Sequence, residues 1–292
     1  MNKWLLSIIT ILIPITIISF YKKETNFIME QKQLEVKVIY NNEIINIPLE
    51  EYVIGVVAGE MPASFEEEAL KAQAVAARTF YINKLEENND YKINSTIKDQ
   101  VYITQKEMQE KWREDYNYYY NKIKNAVYET KNQVIKYNGY PIKSFYYAKS
   151  NGYTESCLNV FNQDIEYLKI KETKWDKNNE DKKIISLSEF KEKLNIVDKE
   201  IVINNITKDE SNRVSNITIN NKIYSGIEIR KLLNLKSTDF DIKINEEVEI
   251  KTNGYGHGVG MSQYGANELA KNKYNYKEII SFYYEGTYIE EI

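Results

Sequence analysis

The sequence is short of the residues that build metal centres and disulfides. Among its 292 residues there is one cysteine, Cys157, and one histidine, His257. A single cysteine excludes an internal disulfide. Together the two residues exclude a dedicated Cys/His zinc cage, which takes three or four ligands. A basic excess is missing too: 39 Lys and Arg stand against 43 Asp and Glu, for a net charge of −4. Nucleic acid and anionic lipid both require a basic face, so neither is expected as the main partner. No repeat of fixed period occurs.

One long apolar run is present, and no second one follows it. Trp4 to Tyr21 carries no charge and is interrupted only by Ser7, Thr10, Pro14, Thr16 and Ser19. It approaches the ~20 residues that a helix needs to cross a bilayer core. It ends in Ser-Phe-Tyr-Lys-Lys, without the small-residue site of a cleaved signal peptide. The expectation is an uncleaved single-pass anchor over residues 1–24, a tether over 25–33, and one soluble body over 34–292. Lys3 on one side and Lys22 and Lys23 on the other nearly cancel as a guide to orientation.

The soluble part reads as α+β, a helical core with several β-hairpins. Leu34 to Ile47 alternates around Asn41-Asn42 as a first hairpin, and Glu50 to Val57 is helical. Ser64 and Glu67 have capping-box spacing ahead of an alanine-rich helix expected to be central and buried. Tyr116 to Val134 is a tyrosine-rich helix, and Val134–Tyr137 with 141–148 makes a second hairpin about Asn138-Gly139. Asn162 to Asn195 reads as loop and then a helix capped at Ser188. Val202 to Tyr224 turns at Asn220-Asn221 as a third hairpin, and a short helix starts at Ser225-Gly226. Phe240 to Ile250 is one strand, Gly265–Lys271 and Tyr276–Tyr284 are helices, and Tyr288–Ile292 is a strand stub. Residues 160–250 form the variable, hairpin-rich portion.

Two segments carry the chemistry. In the first, Glu60 sits between apolar residues just ahead of the alanine-rich helix. It is either a solvated loop carboxylate or an acid in an apolar setting. The second case raises its pKa, as a general acid working near neutrality requires. Arg78, further along that helix, is either a salt bridge pinning two segments or a clamp on a substrate carboxylate or hydroxyl. In the second segment, Gly254, Gly256, Gly258 and Gly260 alternate with Tyr255, His257 and Val259, and Ser262, Gln263 and Tyr264 follow. This spacing matches no nucleotide-binding motif. His257, Ser262, Gln263 and Tyr264 offer uncharged hydrogen-bonding groups suited to a polyhydroxyl ligand. The 25 tyrosines against 9 phenylalanines suit sugar rings, or reflect an AT-rich genome.

At these residues the sequence resembles the stage II sporulation protein D family, relatives of the amidase-enhancer proteins of cell-wall metabolism. The matching segments are 51–81, 141–155, 225–235 and 254–288. The string Gly-His-Gly-Val-Gly-Met-Ser-Gln-Tyr-Gly-Ala is the most specific. The resemblance implies a membrane-anchored lytic transglycosylase that cuts peptidoglycan glycan strands, preferably peptide-stripped ones, during spore engulfment. It implies Glu60 as catalytic acid and Arg78 as its support. Gln73, Ser150 and Tyr153, in the matching segments, join His257, Ser262, Gln263 and Tyr264 as candidate substrate-binding residues. The implied partners are a companion cell-wall amidase and the membrane scaffold of the engulfment machinery. The implied place is the mother-cell membrane, facing the forespore. Tyr147 stands where related sequences often carry a histidine, so the zinc of some relatives is not expected, and no cofactor is. The other reading of the same cleft is a non-catalytic glycan-binding protein that stimulates a partner amidase.

Overall fold

The computed structural model describes residues 34–176 and 180–292. The expected anchor and tether lie outside the described residues. Among those described, no helix is long and apolar enough to cross a membrane. The chain opens with the expected hairpin, strands β1 (Glu35–Tyr40) and β2 (Glu43–Pro48), paired antiparallel. Asn41 and Asn42 both take positive φ, 48° and 66°, the backbone a two-residue hairpin turn demands and asparagine tolerates. Helix α1 (Leu49–Glu60) follows directly.

Helix α2 (Glu67–Glu87) is the axis of the main body. Residues 69, 70, 72–79, 81 and 82 are all buried, because α1 and five later elements pack around it. Alanines at 69, 72, 74, 76 and 77 let those neighbours approach closely. The helix starts two residues later than the capping-box spacing predicts. Pro62 to Phe65 form a turn closed by the Phe65 N–H on the Pro62 carbonyl, and Glu66 takes the N-cap position. Its N–H is satisfied by Asn267 Oδ1 at 2.8 Å, so a side chain distant in sequence does what Ser64 was expected to do.

The main body continues through β3 (Ile93–Asn94), parallel to β1, then α3 (Gln105–Trp112) and α4 (Tyr116–Glu129). Strands β4 (Gln133–Tyr137) and β5 (Tyr140–Pro141) turn at Asn138-Gly139, and β6 (Tyr146–Tyr147) follows. Helix α5 (Cys157–Phe161) precedes the excursion that departs most from expectation. Strand β7 (Glu180–Ser186) occupies a stretch read as loop, and α6 (Leu187–Leu194) is capped by Ser186 rather than Ser188. Strands β8 (Ile203–Lys208), β9 (Val214–Ile219) and β10 (Lys222–Ser225) form one antiparallel sheet, and α7 (Gly226–Leu232) follows. The segment read as one strand is two, β11 (Phe240–Ile244) and β12 (Glu247–Asn253), with β12 central between β11 and β7. Together they enclose a second hydrophobic core of which Phe190, Ile217, Ile229 and Val248 are fully buried members.

The chain then returns to the main body through β13 (Met261–Ser262), parallel to β6, and α8 (Gln263–Lys271). Helix α9 (Tyr276–Tyr283) and β14 (Tyr288–Glu291), paired with β4, close it. The segments at 60–81 and 254–266 therefore meet, with α8 lying on α2.

Candidate active site

Glu60 ends α1, and the reason it is held there lies one residue earlier. A Cβ on Gly59 would fall 2.4 Å from the Val101 carbonyl oxygen, so only glycine lets segment 99–103 press on the helix. That approach puts the Val101 N–H 2.7 Å from Glu60 Oε1, while the Ile103 N–H bonds the Gly55 carbonyl at 3.2 Å. The carboxyl is half-buried. Burial pushes its pKa above the ordinary glutamate value, against the opposing pull of three donors: the Val101 N–H, the Gln263 amide and the Tyr146 hydroxyl.

The glycine loop explains how Gln263 arrives. All four glycines have positive φ, 85°, 118°, 87° and 78°, which side-chain-bearing residues rarely adopt. The coiled backbone is knitted onto residues 145–155. Lys149 and Tyr255 exchange backbone hydrogen bonds at 3.0 and 2.8 Å, and the Glu155 N–H reaches the Gly258 carbonyl at 2.7 Å. Ser262 then caps α8 through its Oγ, which accepts the Gly265 N–H at 3.1 Å and donates to Asp176. Gln263 is buried beside Glu60. Its Nε2 faces the carboxyl without closing a hydrogen bond of ordinary geometry and has no other partner among the described residues. Tyr264 is half-buried, its ring edge-on to Phe65 at 4.9 Å and capped by Lys149 Nζ at 4.3 Å from the ring centre. Among the described residues its hydroxyl makes no hydrogen bond and Lys149 pairs with no carboxylate.

Several expected ligand-binding residues are spent inside the protein. Arg78 is fully buried. Its guanidinium pairs with Glu50 at 3.0 and 2.5 Å and donates to the Gln133 and Val127 carbonyls at 3.0 and 3.3 Å. This corrects the clamp reading, since no substrate reaches a fully buried guanidinium already paired with Glu50. Ser150 is fully buried, bonded to the Tyr153 carbonyl, the Gly152 N–H and Thr173 Oγ1. Ser262 is equally enclosed, so both serines hold the fold rather than offer free hydroxyls. His257 Nδ1 accepts the Val259 N–H at 3.0 Å, and its ring packs on Phe145, Tyr147 and Phe161. Burial, then the charges of Arg230 and Arg213, push its pKa down to about 4, and a bond to the Tyr146 carbonyl opposes them weakly. It is a neutral packing residue whose Nδ1 is already spent on the backbone. Tyr153 is half-buried beside Ser150, and its carbonyl accepts from Arg213 Nη2 at 3.1 Å. Gln73 is fully buried on α2, and neither amide atom has a partner among the described residues.

Zinc does not fit here. Among the described residues no three of His, Cys, Asp and Glu gather into a ligand set. Tyr147 is a buried phenol, Cys157 is a buried thiol whose pKa burial pushes up, and His257 already spends Nδ1. Sequence reading missed Gln100, Val101, Tyr146, Lys149 and Arg213. Tyr146 and Lys149 lie inside a matching segment and could have been found there. Nothing in the sequence around Gln100 signals its place, and Val101 acts through its backbone.

A family model described as "Stage II sporulation protein" matches residues 40–137. Stage II sporulation protein D of Bacillus subtilis is 40% identical over 86% of this chain and 77% of its own length. The protein of that name from Bacillus amyloliquefaciens is 39% identical over 86% and 76%. The chain belongs to the stage II sporulation protein D family. A more distant relative, the amidase enhancer of Bacillus subtilis, is 30% identical over 80% of this chain and 39% of its own length. The model match takes in α1, α2 and the Val101 contact. For this member of the family, Glu60 is therefore set within the segment the family model describes.

Proposed function

We propose that this family member is a peptidoglycan lytic transglycosylase with Glu60 as its single general acid and base. The observation that carries the reading is the setting of Glu60. It is a half-buried acid with a raised pKa whose neighbours are a backbone N–H, an amide and a phenol, and among the described residues it forms no ion pair. A hydrolytic glycosidase uses two carboxylates. One is enough when the substrate brings its own nucleophile. Glu60 gives its proton to the glycosidic oxygen as the bond from the muramic acid C1 breaks. It then takes the proton of that residue's 6-hydroxyl as O6 closes on C1, leaving a 1,6-anhydro end. No water, metal or cofactor enters, and the intramolecular attack supplies much of the rate.

Lys149 supports a preference for peptide-stripped strands. Amidase action bares a lactyl carboxylate on each muramic acid, and the Lys149 ammonium beside Tyr264, which pairs with no carboxylate among the described residues, offers such a group its counter-charge. In this reading the body at 34–292 lies outside the cytoplasm, held by Trp4 to Tyr21 in the mother-cell membrane facing the forespore. A companion amidase and the engulfment scaffold are its partners. The second reading, a non-catalytic glycan binder that stimulates an amidase, is favoured by the 30% identity to an amidase enhancer. Mass spectrometry of peptide-free glycan strands incubated with the full-length chain separates the two. Accumulating 1,6-anhydromuramic ends are expected, and strands retained but uncut would overturn the enzyme in favour of the binder.

A further inference from the structure

Behind Glu60 lies a buried chain of hydrogen bonds that the mechanism above does not use. The Tyr52 hydroxyl donates to Gln100 Oε1 at 2.8 Å, and Gln100 Nε2 donates to the Tyr146 hydroxyl at 3.0 Å. The second Nε2 proton goes to the Ala77 carbonyl at 3.3 Å. That last bond fixes the orientation of the amide. A carbonyl can only accept, so flipping Gln100 would set Oε1 against the Ala77 oxygen and leave two acceptors facing each other. With the amide fixed, the Tyr146 oxygen receives a proton from Gln100, and its own O–H must point to another acceptor. The acceptor beside it is Glu60. Gln100 is fully buried, and the next residue supplies the Val101 N–H that holds Glu60 Oε1 at 2.7 Å.

We infer that Gln100 is a positioning residue for the acid, orienting a one-way hydrogen-bond chain from Tyr52 through Gln100 to Tyr146 that aims a phenolic proton at Glu60. The inference rests on the reading of Glu60 as the proton donor and gives the second half of that reaction a structural basis. Once Glu60 has released its proton, the carboxylate must persist in a half-buried place until the 6-hydroxyl supplies another. Val101 N–H, bonded at 2.7 Å, and the Tyr146 O–H that this chain aims at the carboxylate would stabilise that charged form. Tyr52 and Tyr146, the titratable groups facing Glu60, are both held protonated by burial. The charges on the packed segments are Lys111, bonded to the Ala58 carbonyl, and Asp99, whose field reaches Tyr52.

The test is a ¹³C-carboxyl NMR titration of Glu60 in the full-length chain, assigned with Glu60→Gln, together with the pH profile of strand cleavage. Tyr146→Phe removes the aimed proton. The Glu60 midpoint should rise by about one pH unit, a roughly tenfold change in proton affinity, and the falling limb of the profile should move up with it. Gln100→Glu is close in shape but can only accept from Tyr146 when ionised, so it reverses the chain and should raise the midpoint at least as far. If that variant does not fold, Gln100→Met frees the phenol to rotate and gives a smaller rise in the same direction. A midpoint unmoved in Tyr146→Phe and in the folded Gln100 variant would overturn the proposal, whatever the cleavage assay shows. A midpoint that rises in a chain that cuts no strands would keep the hydrogen-bond chain and overturn the enzymatic reading instead.

Discussion

Helix α1 carries a glutamate into the protein at each end, and the two are treated in opposite ways. Glu50, in the first turn, is 2% exposed and meets Arg78 through two bonds, with the Asn132 N–H adding a third at 3.1 Å. Glu60, in the last turn, is only half-buried, yet among the described residues it pairs with no cation. The better hidden acid is fully compensated and the more accessible one is not. A compensated buried charge fixes two segments relative to each other, and its proton is out of play. An acid surrounded by neutral donors keeps its proton exchangeable. The cost of desolvation then marks a working group and not a structural one.

The sharpest way to break this contrast is to remove each charge in turn. Glu60→Gln keeps the shape and the Val101 contact but removes the transferable proton. Strand cleavage should fall by about 10²–10⁴-fold, read by anhydro-end mass spectrometry. Loss of less than roughly tenfold would move the acid elsewhere, with Glu155 the first candidate. Arg78→Met should act on the other axis, lowering stability in urea unfolding by roughly 3–5 kcal/mol because Glu50 is left buried and unpaired. Adding Glu50→Leu to that variant should recover much of the loss. An Arg78→Met protein of parental stability would show that the pair does not pin the body.

Tyr264→Phe sharpens the contrast at the smallest scale. Its hydroxyl has no partner among the described residues, so melting should stay at the parental temperature while turnover falls several-fold if the group touches the sugar. A drop of roughly 1–3 kcal/mol in stability would instead reveal a buried partner and give this tyrosine to the fold.

Much of the fold was legible because its signals are local. Asn41-Asn42, Asn138-Gly139 and Asn220-Asn221 mark turns whose backbones are left-handed at both positions. The alanines of α2 announce a crowded helix, and the alternating glycines announce a coiled loop. What stayed hidden depends on partners remote in sequence. Strand β7 is charged along most of its length and becomes a strand by pairing with β12. The turn between β11 and β12, at Asn245-Glu246, lacks glycine and proline and so left one strand where there are two. Within the site, Glu60 and Gln263 could be named from their motifs. The enclosure of Arg78, Ser150, Ser262 and His257 could not be, because a side chain's free valences are set by neighbours far along the chain. Arg213 makes the same point: it leaves the second core to sit against Gly258, where a Cβ would lie 2.6 Å from Nη2.

The central claim is that Glu60 is kept at a cost to the fold, and melting curves of parent and Glu60→Gln between pH 4 and 8 test it most directly. A carboxyl whose folded pKa exceeds its unfolded value of ~4.3 binds its proton more tightly in the native state. The stability it contributes is therefore lost as pH rises through that raised pKa. Glu60→Gln lacks this loss, so the account predicts that it melts at or above the parental temperature from pH 6 to 8. A variant that melts clearly below the parent across that range would place Glu60 with Glu50 among the structural acids and contradict the account.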